Sequence, residues 1–303
     1  MKVLFATDGS EYSEIAARFL TGVNWTRDDA ITVFHAVYAV PFHDDWKFYA
    51  ETLQAVKKEL APRILDSTLA ILKPVSASLS VEISEFSPGQ CTPDQCIMQA
   101  ANASGADLIV MGARGIKGVT SAFLGSVTRL VAIHATKPVL VVKPASGRKA
   151  ENVKILFAAD GSDSSRAAAG LLASLPFADN AEVTIANVIS SSFSDIPERF
   201  ALEVNDRIKD TVAGARTREF SASEKIVEEA KEQLSARFRK ISVLSMVGDP
   251  PGEIMKTGEA IAADIIAVGC RGLTGMRGMM GSVSRNILSH APCSVLIGKT
   301  CGS

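Results

Sequence analysis

The stretch ADLIVMGARGIKGVTSAFLGSVTRLVAIHATKPVLVV, residues 106–142, and its echo ADIIAVGCRGLTGMRGMMGSVSRNILSHAPCSVLIG, residues 263–298, decide the fold of this chain. Each copy runs from an apolar, strand-like segment through a glycine loop into a helix-like segment that opens with Gly-Ser-Val. In α/β proteins that order presents bare backbone N–H groups at a helix N-terminus to an anion, commonly a phosphate. Two copies also imply two related halves.

The duplication extends beyond the loops. VLFATDGSEYSEIAARFL from Val3 is echoed by ILFAADGSDSSRAAAGLL from Ile155. Asp8 pairs with Asp160 at an offset of 152 (160 − 8), and Gly112 with Gly269 at 157 (269 − 112), so the second copy carries a net insertion of five residues. The insertion is expected in Ser190–Ser223, a Ser-, Thr- and charge-rich segment that could include a mobile flap, with Phe193, Phe200 and Phe220 packing parts of it. Ser126 pairs with Ser282 at 156 (282 − 126), which places a one-residue deletion inside the second loop. A period of about 150 residues is a whole domain per repeat. The expected domains are 1–144 and 153–300, joined by a polar linker over Pro144–Asn152.

Composition fits a globular protein with two cores. The chain has 303 residues, 47% of them hydrophobic and 21% charged, with a formal net charge of −1. No basic excess points to nucleic acid. Mean hydropathy is slightly positive at +0.19, yet no apolar run reaches the ~18 residues of a membrane span. The first residues enter a strand and meet Asp8-Gly9 rather than a signal-peptide pattern, so a cytoplasmic location is expected. The cysteines Cys91, Cys96, Cys270, Cys293 and Cys301 are odd in number, which argues against a disulfide framework. Cys91 and Cys96 lack a second Cys/His pair at zinc spacing, so no metal site is expected. Cys270 corresponds to Ala113, so the loop does not require a thiol.

Periodicity predicts alternating elements. In the first half, strands are expected at Val3–Ala6, Ile31–Val37, Leu79–Phe86, Leu108–Met111 and Val139–Val142. Helices are expected from Ser10, over Asp45–Leu72 with a break or kink at Pro62, over Pro93–Ala103 and over Ser126–His134. The second half repeats the strands near Ile155–Ala158, Val183–Ile189, Ile241–Val247, Ile265–Val268 and Ser294–Ile297. Val/Ile/Leu strands separated by helices indicate a parallel sheet covered on both faces.

The loop carries the chemistry. Gly112 and Gly115 sit at a strand exit, where the missing Cβ lets a phosphate approach the backbone. Gly125-Ser126 follows nine residues later, where the next helix should start. Ser126 and the first helical N–H groups would form an anion site strengthened by the helix dipole, with Arg114 and Arg129 adding charge. Two readings of Ser126 stand side by side here: phosphate ligand, or simple N-cap with the glycines as turn formers.

The linked segments are similar to the universal stress protein (UspA-type) family over nearly the whole chain. The resemblance rests on Gly-x2-Gly-x9-Gly-Ser (Gly112, Gly115, Gly125, Ser126), on Asp-Gly-Ser after the first strand, and on IVMGARG and LGSV…HATKPVLVV. It implies two Rossmann-like α/β domains of the adenine nucleotide alpha hydrolase-like kind, each with a five-stranded parallel sheet and helices on both faces. It also implies ATP, or ADP or AMP, as ligand, with Mg2+ a candidate companion, and a stress-response role. Position by position, the resemblance puts Asp8 and Ala36 beside the adenosine, and Gly112, Gly115, Gly125, Ser126 and Val127 at the phosphates. Asp8 has the alternative of capping the first helix. His35 and His134 read as structural, the latter near a helix C-terminus.

In the second copy Asp160 and Val188 keep the base-side positions, and Gly269, Gly272, Gly281, Ser282 and Val283 the loop. Only eight residues, Leu273–Met280, separate Gly272 from Gly281, and Gly275 and Gly278 could ease the shorter arc. Nucleotide binding is therefore expected more firmly in the first half. The GDPPGEI turn at Gly248 follows the family pattern more closely than SPGQCTPDQCI does.

Enzymatic chemistry has little support. The Ser-Gly-Gly-x-Asp-Ser loop of ATP pyrophosphatases, a Walker loop and a Ser–His–Asp order are all missing, and no catalytic base is assigned. Three readings follow: a nucleotide-binding stress-response switch, a weak ATP hydrolase, or a ligand-free interaction module with vestigial loops. The family resemblance also implies pairing through the fifth strand. A tandem chain can make that pair internally, Val139–Val142 against Ser294–Ile297, as a pseudo-dimer that closes two edges, with homodimerisation of whole chains left open. Adenine nucleotide is the expected partner, with neither nucleic acid nor membrane.

Overall fold

The computed structural model describes residues 1–38, 47–86, 91–115, 124–144, 152–190, 206–272 and 280–300. Its first half contributes strands β1 (Lys2–Ala6), β2 (Ala30–Tyr38), β3 (Ser78–Phe86), β4 (Leu108–Gly112) and β5 (Val139–Val142). Between them lie helices α1 (Glu11–Thr21), α2 (Lys47–Leu72), α3 (Pro93–Ala103) and α4 (Ser126–His134). The second half repeats the order with β6 (Lys154–Ala158), β7 (Glu182–Ile189), β8 (Lys240–Val247), β9 (Ile265–Gly269) and β10 (Ser294–Gly298). Its helices are α5 (Asp163–Ser174), α6 (Asp206–Ser235), α7 (Pro250–Ala260) and α8 (Ser282–His290).

All ten strands join one sheet in the order β3-β2-β1-β4-β5-β10-β9-β6-β7-β8. Pairing is parallel within each half and antiparallel at the seam, where Leu140 lies beside Leu296. The two-residue alternation of the strands sorts the core into two layers. Val3 and Phe5 point to the face covered by α1, α2, α5 and α6, and Leu4 and Ala6 to the face covered by α3, α4, α7 and α8. Both layers continue across the seam, Leu140 with Leu296 on one face and Val141 with Val295 on the other. The fifth-strand pairing expected from the sequence is thus the middle of a single sheet, and Rossmann-like α/β halves form a pseudo-dimer.

Two lysines clasp the seam. Lys143, just past β5, donates from Nζ to the carbonyls of Leu288 at 3.2 Å and Ala291 at 2.5 Å, at the end of α8. Lys299, just past β10, donates to Ile133 at 3.1 Å and Ala135 at 2.5 Å, at the end of α4. Each supplies a cation to the negative end of the other half's helix. Burial strips water from both ammonium groups and pushes each down to about 8. The sequence reading missed this pair, although matched lysines follow both fifth strands.

Two expectations need correction, at Pro62 and at residues 206–223, and the net insertion resolves into a gain and a loss. Helix α2 runs unbroken through Pro62, because Ala61 and Leu65 beside it are buried and that packing outweighs one lost backbone bond. The five extra residues are a net figure. Sheet register sets Ile31 beside Leu79 and Val183 beside Ile241, so the offset between halves rises from 152 (183 − 31) to 162 (241 − 79). It then falls to 157 (250 − 93) at α3 and α7. The second half therefore gains residues between β7 and β8 and gives up five between β8 and α7. Residues 206–223, expected in part as a flap, lie in α6, and Phe220 is exposed rather than packed. Phe193 and Phe200 lie outside the described residues.

Candidate functional site

The strand order reverses direction between β1 and β4, the point at which an open α/β sheet leaves a crevice beyond its strand ends. From the β1 side comes the turn Thr7–Ser10. Gly9 adopts φ +75°, which favours glycine. The Ser10 N–H donates to Asp8 Oδ1 at 3.1 Å, and Ser10 Oγ caps α1 by accepting from the Ser13 N–H. Ser10, not Asp8, is therefore the cap, and Asp8 stays partly exposed at the crevice.

From the β4 side comes the glycine loop. A Cβ on Gly112 would lie 2.6 Å from the Tyr12 backbone, and one on Gly115 would collide with the Asp8 carboxylate. Each glycine is thus required by a close approach, the first to α1 and the second to Asp8. Ser10 Oγ also donates to the Arg114 carbonyl at 3.4 Å, tying turn to loop. Arg114 sits over the Tyr12 ring, 5.4 Å from its centroid.

Beyond the loop, the Gly125 N–H donates to the Ala113 carbonyl at 2.9 Å, and Gly125 is the N-cap of α4. Ser126 is consequently the first helical residue and not a cap, which corrects the capping alternative. No side chain among the described residues caps α4, so its first N–H groups lie at the loop without a side-chain acceptor. Thr128 Oγ1 donates to the Gly112 carbonyl at 2.9 Å and fixes the helix to the strand. Ser126 and Arg129 are exposed, and Val127 and Ala36 are partly buried at the margin of the layer formed by Ala6, Phe34 and Met111. The structure gathers Asp8, Gly112, Arg114, Gly115, Gly125, Ser126 and Val127 around one end of the sheet, with Ala36 at the end of neighbouring β2.

The second half builds the same frame. Gly161 has φ +74°, Ser162 caps α5, and the Ser162 N–H donates to Asp160 Oδ1 at 3.0 Å. Ser162 Oγ reaches the Arg271 carbonyl at 3.0 Å, Gly281 is the N-cap of α8, and Ser284 holds the Gly269 carbonyl at 2.6 Å. A Cβ on Gly272 would stand 3.0 Å from Asp160 Oδ2. Ser282 is exposed, and Val283 and Val188 are partly buried. The shortened stretch itself, including Gly275 and Gly278, lies outside the described residues, as do residues 116–123 of the first loop.

The histidines have structural places. His35 Nδ1 is 2.8 Å from the Thr7 carbonyl, an acceptor, so that nitrogen carries the proton. Its counterpart Asn187 donates to the Ala159 carbonyl at 2.6 Å, the same bond from a different side chain. His134 is the exposed last residue of α4. Cys91 and Cys96 are joined as a disulfide, against the expectation drawn from the odd cysteine count. Among the described residues no cluster of His, Cys, Asp or Glu has the arrangement of a metal site, and no helix is long and apolar enough to cross a membrane.

The sequence model of the Universal stress protein family matches this chain twice, over residues 1–143 and 152–299. A universal stress protein of Thermus aquaticus, encoded in the QAH/OAS sulfhydrylase 3' region, is 33% identical over 142 residues, 46% of this chain and 97% of the relative. Universal stress protein YxiE of Bacillus subtilis is 32% identical over 154 residues, 48% of this chain and 97% of its own. Each relative thus corresponds to one half. A crystal structure of a universal stress protein from Archaeoglobus fulgidus superposes over 99% of this chain and 98% of its own, with TM-score 0.63 at 21% identity. That likeness concerns the fold alone.

Proposed function

The chain belongs to the universal stress protein family, and from that premise we propose that its first half binds an adenine nucleotide whose occupancy acts as a switch in a stress response. The reading is carried by one observation: a helix N-terminus with a glycine cap, and no side-chain acceptor among the described residues, faces a loop where a Cβ on Gly115 would strike Asp8. A cradle of that kind suits a phosphate chain. Gly112, Gly115 and Gly125 would supply close backbone approach, Ser126 and Val127 the first helical N–H groups, and Arg114 positive charge. Asp8 and Ala36 would flank the nucleoside. Asp160, Val188, Gly269, Gly272, Gly281, Ser282 and Val283 would do the same, with lower affinity, in the second half.

ATP is the proposed ligand, with ADP or AMP filling the same nucleoside positions. Bound Mg2+ would screen the phosphates, with the Asp8 carboxylate beside Gly115. Turnover is proposed to be slow or absent, because the sequence carries no Walker loop, pyrophosphatase loop or Ser–His–Asp order to drive it. The soluble, cytoplasmic role follows the same reading.

The test is nucleotide extraction from the purified full chain followed by calorimetric titration with ATP. Binding of one or two equivalents, weakened by Ser126→Pro, supports the proposal. No extracted nucleotide and no titratable affinity would instead favour a ligand-free interaction module. Rapid sustained ADP release would favour an ATP hydrolase.

A further inference from the structure

Helix α3 starts with two cysteines at the positions that meet at many helix beginnings. Thr92 is the N-cap, Pro93 the first helical residue, and the Thr92 N–H donates to Gln95 Oε1 at 3.1 Å in a capping box. Cys91 then precedes the cap and Cys96 is the fourth helical residue. Those two places carry the side chains of a hydrophobic staple, which face each other whatever residues occupy them. Here the Cα atoms are 6.1 Å apart and the sulfurs are bonded. The separation lies within the ordinary range for a disulfide, ~4.4–6.8 Å.

The second half supplies an independent check. Its equivalent positions, at an offset of 157 (250 − 93), are Gly248 and Glu253. A Cβ placed on Gly248 would lie 2.9 Å from Glu253 Cγ. The backbone therefore brings these two positions together in both halves, and only the first half fills both with sulfur. The first half also has the longer chain between its third strand and third helix, residues 87–92 against 248–249. Cys91 lies in that longer connection, just before the Thr92 cap.

The surroundings of the two sulfurs differ. Cys96 is fully buried, in the layer that contains Phe34 of β2 and Val131 of α4. Cys91 is partly exposed at the margin of the same layer, as are Ala36 and Val127. The pair thus ties the start of α3 to the layer beneath the first half's cleft. Cys270 and Cys293 are free thiols at other places in the fold.

We propose that Cys91 and Cys96 are a thiol–disulfide modification site, exchanging with low-molecular-weight disulfides and thiols, that fastens the start of α3 in the first half alone. In the oxidising direction the Cys91 thiolate attacks a disulfide RS–SR, its S–S bond breaks, and one RS− leaves. The Cys96 thiolate then attacks the Cys91 sulfur and expels the second RS−. The protons lost by the two cysteines end on the two RSH, and the two electrons lost by the cysteines reduce RS–SR. In reverse, an incoming thiolate attacks Cys91, the exposed sulfur, and Cys96 leaves as a thiolate in the first turn of a helix, where the dipole favours negative charge. Coupling to ligand affinity rests on the nucleotide reading above.

The experiment equilibrates the full chain with oxidised or reduced glutathione, traps free thiols with iodoacetamide and maps the labelled peptides. Cys91 and Cys96 should be protected together by oxidised glutathione and labelled together after reduction. Amides of the first turn of α3 should exchange hydrogen about tenfold faster in the reduced chain, while those of α7 stay unchanged. Labelling of both cysteines after oxidation, stable glutathione adducts on either one, or equal exchange in the two states would overturn the proposal. In a further arm, ATP should bind the oxidised and reduced chains with affinities differing by about threefold or more. Equal affinities remove the coupling to the cleft. No ATP binding at all removes the nucleotide reading and leaves the thiol result to stand or fall on the labelling.

Discussion

The turns after β1 and β6 are near copies, whereas the loops after β4 and β9 are not. In both turns a left-handed glycine, a serine cap and an aspartate share one set of bonds. Around the loops the partners change. Arg114 lies over Tyr12, but the residue matching Tyr12 is Ser164, and Arg271 donates to Thr300 Oγ1 at 3.1 Å instead. A Cβ on Gly125 would approach the Arg114 backbone to 3.2 Å, against 3.6 Å for Gly281 and Arg271. What both halves share is the frame that orients a helix N-terminus. What separates them, among the described residues, is the spacing at the helix cap and the partner of the arginine.

The largest effect should come from the strand ends at the seam. Gly298 matches buried Val142, yet a Cβ on Gly298 would overlap Ala168 of α5. Gly298→Val should therefore lower stability by about 3 kcal/mol or more through overpacking, whereas Val142→Ala should cost roughly 1–2 kcal/mol. Equal losses in chemical denaturation would show that the two halves pack their first helices at the same height.

Next in size is the cradle. Gly115→Ala should weaken ATP binding to the first half by about 30-fold, roughly 2 kcal/mol, and Gly272→Ala should weaken the second site by only about threefold. Calorimetry on each variant reads the difference. A first site indifferent to Gly115→Ala would break the comparison at its centre.

The seam lysines give a pH signature. Both are held at about 8, below their ordinary 10.5, so between these values the unfolded chain binds more protons and stability rises with pH. Cys293 opposes this. Burial pushes its thiol up to about 11 from 9.0, so it removes stability as pH climbs through that window. The rise should be steepest between pH 8 and pH 9 and shallower from 9 to 10.5, where Cys293→Ala should steepen it. Melting curves over this range check the sign, and a fall in stability from pH 8 to pH 9 that Lys143→Met and Lys299→Met leave unaltered would contradict it.

The smallest effect tests equivalence of the frames. His35→Asn gives the first half the residue of the second, and should change stability by less than about 1 kcal/mol. His35→Leu strands the buried Thr7 carbonyl and should cost roughly 1–3 kcal/mol. A large loss of ATP affinity in His35→Asn at unchanged stability would give that ring a role beyond its bond to Thr7.

The elements themselves were legible because their signals are local. Pro93–Ala103, Ser126–His134 and Val139–Val142 carry their own caps and apolar periods, and the structure begins and ends them where the sequence does. The Pro62 break was misread because a proline's local cost is visible and the packing of Ala61 and Leu65 that overrides it is not. The net insertion of five residues was legible as a balance, whereas its parts, a gain between β7 and β8 and a loss before α7, needed strand register to locate them. At the site, the glycine spacing singled out residues that the structure gathers at one end of the sheet, but the capping role went to Gly125 rather than Ser126, a matter of one residue's backbone angle.

By itself the sequence determined that the chain is a duplicated parallel α/β protein with a glycine loop before a helix in each half, since repeat and periodicity are properties of order along the chain. Tertiary structure alone decided that the seam between the halves is antiparallel, that Lys143 and Lys299 each close the other half's helix, and that Cys91 meets Cys96. Those facts depend on which groups face one another once the sheet is assembled. Here Cys91 and Cys96 meet because a helix starts between them, and each lysine finds a helix end in the other half only after the antiparallel seam has formed.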